Sequence, residues 1–268
     1  MTPDDVSSAT VQSGESICPS VAGGWREGAL VLAMVLAPVG LAIAMVATGV
    51  AVLAVWQMAR GLPMAIPASA SLQLFGLLAY VAASWAVVAI VWLWSSRRRL
   101  RSEVFAFRRP TWPALAAAIA GFAIAAYGAP MMTHWLSHVT GGRGPAAFDF
   151  HDTQTIAIYL LLFVITAPVC EEILYRGLLV VWLRRKGWRD FAIGLTGSLI
   201  FGLNHAIPLG PVWVAVMIMF GAILFALRLR YDSLSPAWLT HFLFNAQPLL
   251  IYPLVAWLDP ALLPGRLT

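Results

Sequence analysis

Cys170-Glu171-Glu172-Ile173-Leu174-Tyr175-Arg176-Gly177 decides how the rest of this chain is read. Upstream, no charged residue occurs between Thr153 and Val169, and downstream Leu178 to Leu183 is apolar again. Two carboxylates and a guanidinium therefore lie inside a segment long enough to cross a bilayer. Charges at such depth cost roughly 3 kcal/mol each on insertion scales, and as a rule they mark a functional site with a partner nearby. Helical spacing says which groups pair. Glu172 and Arg176 are four apart on one face and can form an ion pair. Glu171 lies about 100° further round and is left without that partner.

The surrounding composition is that of a polytopic membrane protein. Of the 268 residues 60% are hydrophobic and 11% charged, with a mean hydropathy of +0.81. The net charge of +5 is mostly loop arginine, which has a topological explanation, so no nucleic-acid partner is expected. Cys18 and Cys170 lie in a polar N-terminus and a membrane segment, so no disulfide between them is expected. Residues 1–27 lack the basic and apolar regions of a cleavable signal peptide and are expected to be a disordered cytoplasmic tail.

Uncharged apolar runs predict an all-α transmembrane bundle of about seven spans. They cover Gly28 to Ala59, Ser71 to Trp94, Pro113 to Met132, Thr153 to Leu183, Phe191 to His205, Val212 to Leu227 and Leu234 to Ala256. A loop from Thr133 to Asp152 is expected to hold His134, His138 and His151. With the N-terminus inside and the C-terminus outside, thirteen of the seventeen Lys and Arg fall on inner segments, three on outer ones, and Arg176 within the membrane. The arginines of 97–109 read first as this topology signal and second as a contact for anionic lipid headgroups. The chain divides into the 1–27 tail, membrane helices over 28–150, a catalytic membrane domain over 151–256 and a 257–268 tail.

Few strongly polar side chains interrupt the other spans. They are His205, with Phe201 four residues before it, and His241, with Asn245 four residues after it on the same face. Counted at about 1.5 Å per residue from the span ends, Glu171 and His205 match in level and Asn245 lies within a turn of them. Pro168, three residues before Glu171, removes a backbone hydrogen bond in mid-span and frees carbonyls that a polar neighbour must satisfy. Each feature also has a structural reading: intramembrane histidines bridge helices, and Glu172 with Arg176 can hold a span together. The combination is what points to chemistry. A carboxylate withdrawn from bulk water becomes a better general base. Glu171 beside His205 could take a proton from water, with His241 and Asn245 donating to the oxyanion, and so hydrolyse a peptide bond. Glu171, His205 and His241 would equally make an N/O set for zinc with an open position. The same residues could instead serve a non-enzymatic transporter or scaffold as an ion path or helix glue. There is no HExxH, no GxSxG and no GxxxxGK[ST].

Glu171-Glu172-x-x-x-Arg176, Phe201-x-x-x-His205 and His241-x-x-x-Asn245, in this order, resemble the CAAX-protease and bacteriocin-processing family of intramembrane endopeptidases. The resemblance covers about residues 153–247 and implies a membrane-embedded catalytic pocket. It implies Glu171 as the water-activating glutamate, His205 as its partner, His241 and Asn245 as the oxyanion site, and Glu172 and Arg176 in support. It implies no metal cofactor on the glutamate mechanism, with zinc as the alternative. The expected partners are a peptide or protein substrate in the membrane and the lipid bilayer, and the expected location is the bacterial cytoplasmic membrane.

Overall fold

The structure, a computed structural model, describes residues 25–63, 69–141 and 153–258. The described residues contain helices and no strand, and the chain is an all-α bundle of an integral membrane protein. The elements are α1 (Trp25–Ala59), α2 (Ser69–Arg97), α3 (Arg101–Val104), α4 (Trp112–Thr140), α5 (Thr153–Arg185), α6 (Asp190–Asn204), α7 (Ala206–Leu209), α8 (Pro211–Tyr231) and α9 (Ser235–Leu258). Each expected apolar segment is helical. Among the described residues α1, α2, α4, α5 and α8 are long and apolar enough to cross a membrane, α6 is a shorter apolar helix of 15 residues, and α9 runs for 24. The expected N-terminal tail lies outside the described residues except for Trp25, Arg26 and Glu27, which open α1. Cys18, His151 and the chain beyond Leu258 also lie outside them.

Two local differences from the sequence reading have physical causes. Helix α4 continues past Met132 to Thr140, so His134 and His138 sit on an exposed helical surface and not in a loop. Nothing stops it before Gly141, whose φ of 66° forms the left-handed cap. Helix α5 is not a uniform α-helix. Leu160–Thr166 and Glu172–Leu179 are π-helical, with the short α-helical turn Ala167–Glu171 between them. Pro168 sits in that turn and cannot donate to the preceding turn, and a widened upstream helix accommodates the loss.

Helix α5 is the axis of the bundle. Every residue from Cys170 to Val181 is buried, against α1, α2, α3, α6, α8 and α9. Close helix approach depends on small residues. A Cβ at Gly202 would meet the Val214 carbonyl at 2.8 Å, so α6 and α8 touch backbone to backbone there. A Cβ at Gly177 would run into the Val104 carbonyl of α3. That contact explains why glycine closes the motif.

Most of the described charged residues gather at one end of the bundle, away from Arg60 and the buried Glu171, Glu172 and Arg176. Glu27 pairs with Arg98 at 3.2 Å and Lys186 at 3.7 Å, and Glu103 pairs with Arg185 at 3.0 Å. Asp232, just past α8, accepts from Arg228 at 2.6 Å and Arg184 at 2.8 Å, and Arg108 lies 3.3 Å away. The start of α1 and the ends of α2, α5 and α8 are thereby fixed at one level. Burial raises the Asp232 carboxyl, but hydrogen bonds from Arg228 and Arg184 outweigh it and hold the group below its ordinary 3.8.

Two outcomes are expected. Gly177→Ala should lower stability by about 1–3 kcal/mol, read as a lower thermal midpoint in detergent, because the obstacle is backbone and cannot swing away. A group held below its unfolded value stabilises the fold above that value and loses the effect as pH falls through its folded one. The advantage of wild type over Asp232→Asn should therefore be full at neutral pH and shrink only below about 4. An advantage that grows on acidification would contradict this.

Candidate active site

Three of the six singled-out polar residues come from α5, and the long helix dictates how they diverge. Glu172 and Arg176 form the expected ion pair, with Nη1 donating to Oε1 at 3.3 Å and both side chains fully buried. The guanidinium lies over two rings, 4.3 Å from the Phe201 centroid and 4.5 Å from that of Phe225. Cation–π attraction to both rings helps to offset the desolvation of the charge. Its Nη2 donates to the Gly221 carbonyl at 3.4 Å, and Arg228 Nε donates to the Arg176 carbonyl at 2.9 Å.

Helix α9 brings His241 to the same carboxylate. His241 Nδ1 lies 2.9 Å from Glu172 Oε1. A carboxylate can only accept, so Nδ1 carries the proton, and in the neutral ring Nε2 is a bare acceptor. Nε2 faces Glu171, 3.9 Å from Oε2. That is too long for a direct hydrogen bond and short enough for one water to touch both atoms. Glu171 Oε2 is buried with no hydrogen-bond partner among the described residues. The other oxygen, Oε1, accepts from the Tyr80 hydroxyl of α2 at 2.8 Å. Glu171 and His241 are 8% and 3% exposed, so the pair is nearly closed to the outside.

The remaining two residues are held nearby by other means. His205 follows the last residue of α6, and its Nδ1 lies 2.7 Å from the Phe201 carbonyl, so this nitrogen also donates and Nε2 is left as acceptor. No hydrogen bond or ion pair joins His205 to Glu171. The two histidines are linked through the Phe201 ring, whose centroid lies 4.6 Å from His205 and 6.3 Å from His241. Asn245 Nδ2 donates to the Phe163 carbonyl at 2.8 Å, and Tyr159 donates to the Asn245 carbonyl at 2.9 Å. Phe163 lies five residues before Pro168, the position to which a π-helical residue would donate; the proline has no N–H to give, and Asn245 bonds this carbonyl. One amide N–H of Asn245 remains.

The carboxylate-backed imidazole of His241 also suits a metal ligand. Of the expected zinc set Glu171 faces His241, and among the described residues no group of three His, Cys, Asp or Glu side chains is arranged to hold a metal ion.

Sequence reasoning missed Tyr80 and the pairing of Trp85 with Thr166, where Nε1 donates to Oγ1 at 3.1 Å. The signal was a lone phenol inside an apolar span, which reads equally well as an interfacial aromatic.

Residues 153–247 match the Rce1-like family model, described as type II CAAX prenyl endopeptidase Rce1-like. The matching segment is similar to those endopeptidases over α5 to α9 and includes Glu171, Glu172, Arg176, His205, His241 and Asn245. Helices α1, α2 and α4 lie outside the Rce1-like segment. No curated protein and no solved structure matches the chain.

Removing one member of a buried ion pair strands the other, at a cost of about 3–5 kcal/mol. Arg176→Met and Glu172→Gln should each lower the thermal midpoint strongly, and the double variant should lose less than the sum of the two. Additive losses would show that the pair is not coupled.

Proposed function

We propose that this chain is an intramembrane endopeptidase that hydrolyses a peptide bond in a hydrophobic or membrane-anchored substrate. The observation that carries the reading is the facing pair Glu171 Oε2 and His241 Nε2 at 3.9 Å, buried in the segment that matches the Rce1-like endopeptidases. Two acceptors aimed at one point suit a water that donates both hydrogens and turns its lone pairs outward. In the proposed reaction Glu171 takes one proton as the water oxygen bonds to the scissile carbonyl carbon. The carbonyl oxygen becomes an oxyanion. As the C–N bond breaks, Glu171 returns the proton to the leaving nitrogen, giving a carboxylic acid and an amine.

The other residues take supporting parts in this proposal. Glu172 fixes His241 in the tautomer that leaves Nε2 bare, so His241 accepts from the water and the oxyanion is left to other donors. Asn245 would donate its remaining amide N–H to the same oxygen, a contribution of about 3–4 kcal/mol per donor in comparable sites. His205 would reach Glu171 through substrate or a water. Arg176 secures Glu172. No metal is assigned a part. The N-terminus and the charged end are assigned to the inner side by the distribution of Lys and Arg. The substrate is inferred to approach from within the membrane, because the carboxylate is buried among apolar helices.

The test is cleavage of a mixture of fluorescence-quenched hydrophobic and lipidated peptides by the purified protein in anionic liposomes. Wild type should cleave at least one, and Glu171→Gln should lose at least about a thousandfold while keeping the wild-type thermal midpoint. A folded Glu171→Gln that cleaves at the wild-type rate would overturn the assignment. Activity should also survive chelation to sub-stoichiometric zinc, measured by metal analysis of the same sample.

A further inference from the structure

Glu171 has two oxygens, and only one can serve the reaction at a time. The structure gives them different surroundings. Oε1 accepts from Tyr80 at 2.8 Å, an ordinary distance for O–H···O. Oε2 is buried, receives nothing and faces His241. Without a donor on Oε1 the carboxylate can turn about its last bond, and neither oxygen is held toward the imidazole. Tyr80 comes from α2, outside the segment that matches the endopeptidase family.

A second contact joins the same two helices. Five residues along α2, Trp85 Nε1 donates to Thr166 Oγ1 at 3.1 Å. Thr166 lies five residues before Glu171, so one helix counts up while the other counts down. Tyr80–Glu171 and Trp85–Thr166 are thus two rungs, about 7.5 Å apart, between antiparallel helices in one register. The Trp85 rung joins the same helices but touches no candidate catalytic group. The Tyr80 rung touches the carboxylate itself.

We infer that Tyr80 is a positioning residue of the proposed active site: its hydroxyl occupies Glu171 Oε1 and so reserves Oε2 for the water shared with His241. The inference rests on the endopeptidase reading. It extends the site beyond α5 to α9 and makes α2 part of the catalytic unit.

The experiment measures kcat and KM in the same liposomes, with the peptide that wild type cleaves fastest, for Tyr80→Phe, Trp85→Phe and Glu171→Gln. Tyr80→Phe keeps the ring and removes only the donor. Its kcat should fall by about tenfold or more, the scale of one hydrogen bond to a charged group, with KM within about twofold. Trp85→Phe removes the other rung and should leave kcat within about twofold of wild type. Thermal midpoints of both variants, measured alongside, separate misfolding from lost positioning. Wild-type kcat in folded Tyr80→Phe would overturn the inference and leave the endopeptidase reading standing. An equal kcat loss in Trp85→Phe would also overturn it, because both rungs would then act through register alone. If folded Glu171→Gln cleaves like wild type, the endopeptidase reading fails first and this inference falls with it.

Discussion

A guanidinium with no exposure to solvent has to be neutralised where it lies, and the architecture around α5 follows from that requirement. Arg176 is paired by Glu172, lies over the rings of Phe201 and Phe225, and is bound to the Gly221 carbonyl. Those partners come from α5, α6 and α8, so the charge can be accommodated only when these helices are assembled. The same carboxylate then orients His241 from α9. One buried charge thus recruits three further helices, and the imidazole it orients ends up opposite Glu171. Isolated buried pairs contribute little net stability against an apolar replacement. What this pair contributes is a unique arrangement of helices around Glu171.

The backbone of α5 adapts to the same end. Pro168 removes a donor one turn before Glu171, the helix widens on both sides, and Asn245 donates to the Phe163 carbonyl. A residue that could donate to an oxyanion is thereby held in place by the irregularity that precedes the carboxylate. Gly177 completes the device by letting the Val104 carbonyl approach the widened turn. Structural and chemical readings of these residues are not rivals here, since Glu172 and Asn245 hold helices together and orient groups at once.

Much of this was legible in the chain. Uncharged runs gave the helical segments because a membrane helix must be apolar over its length, and i, i+4 spacing gave the Glu172–Arg176 pair because neighbours on a helix face depend on local geometry alone. Pro168 announced a missing backbone donor, though not that Asn245 would bond the Phe163 carbonyl. Contacts between distant helices carry no local signature. Tyr80 could not be assigned to Glu171, and matching levels along the spans could not show that His205 Nδ1 would bond the Phe201 carbonyl. The extension of α4 through His134 and His138 was missed because polar residues in a helix end look like a loop.

The central claim is that Glu171 Oε2 and His241 Nε2 share one water inside the bundle. An experimental structure in a lipid nanodisc, at a resolution that shows ordered solvent, tests this most directly. The account predicts a solvent peak within about 3 Å of both atoms, with Tyr80 bonded to the opposite oxygen of Glu171. A Glu171 carboxylate turned toward lipid, or apolar side chains packed between it and His241, would contradict it.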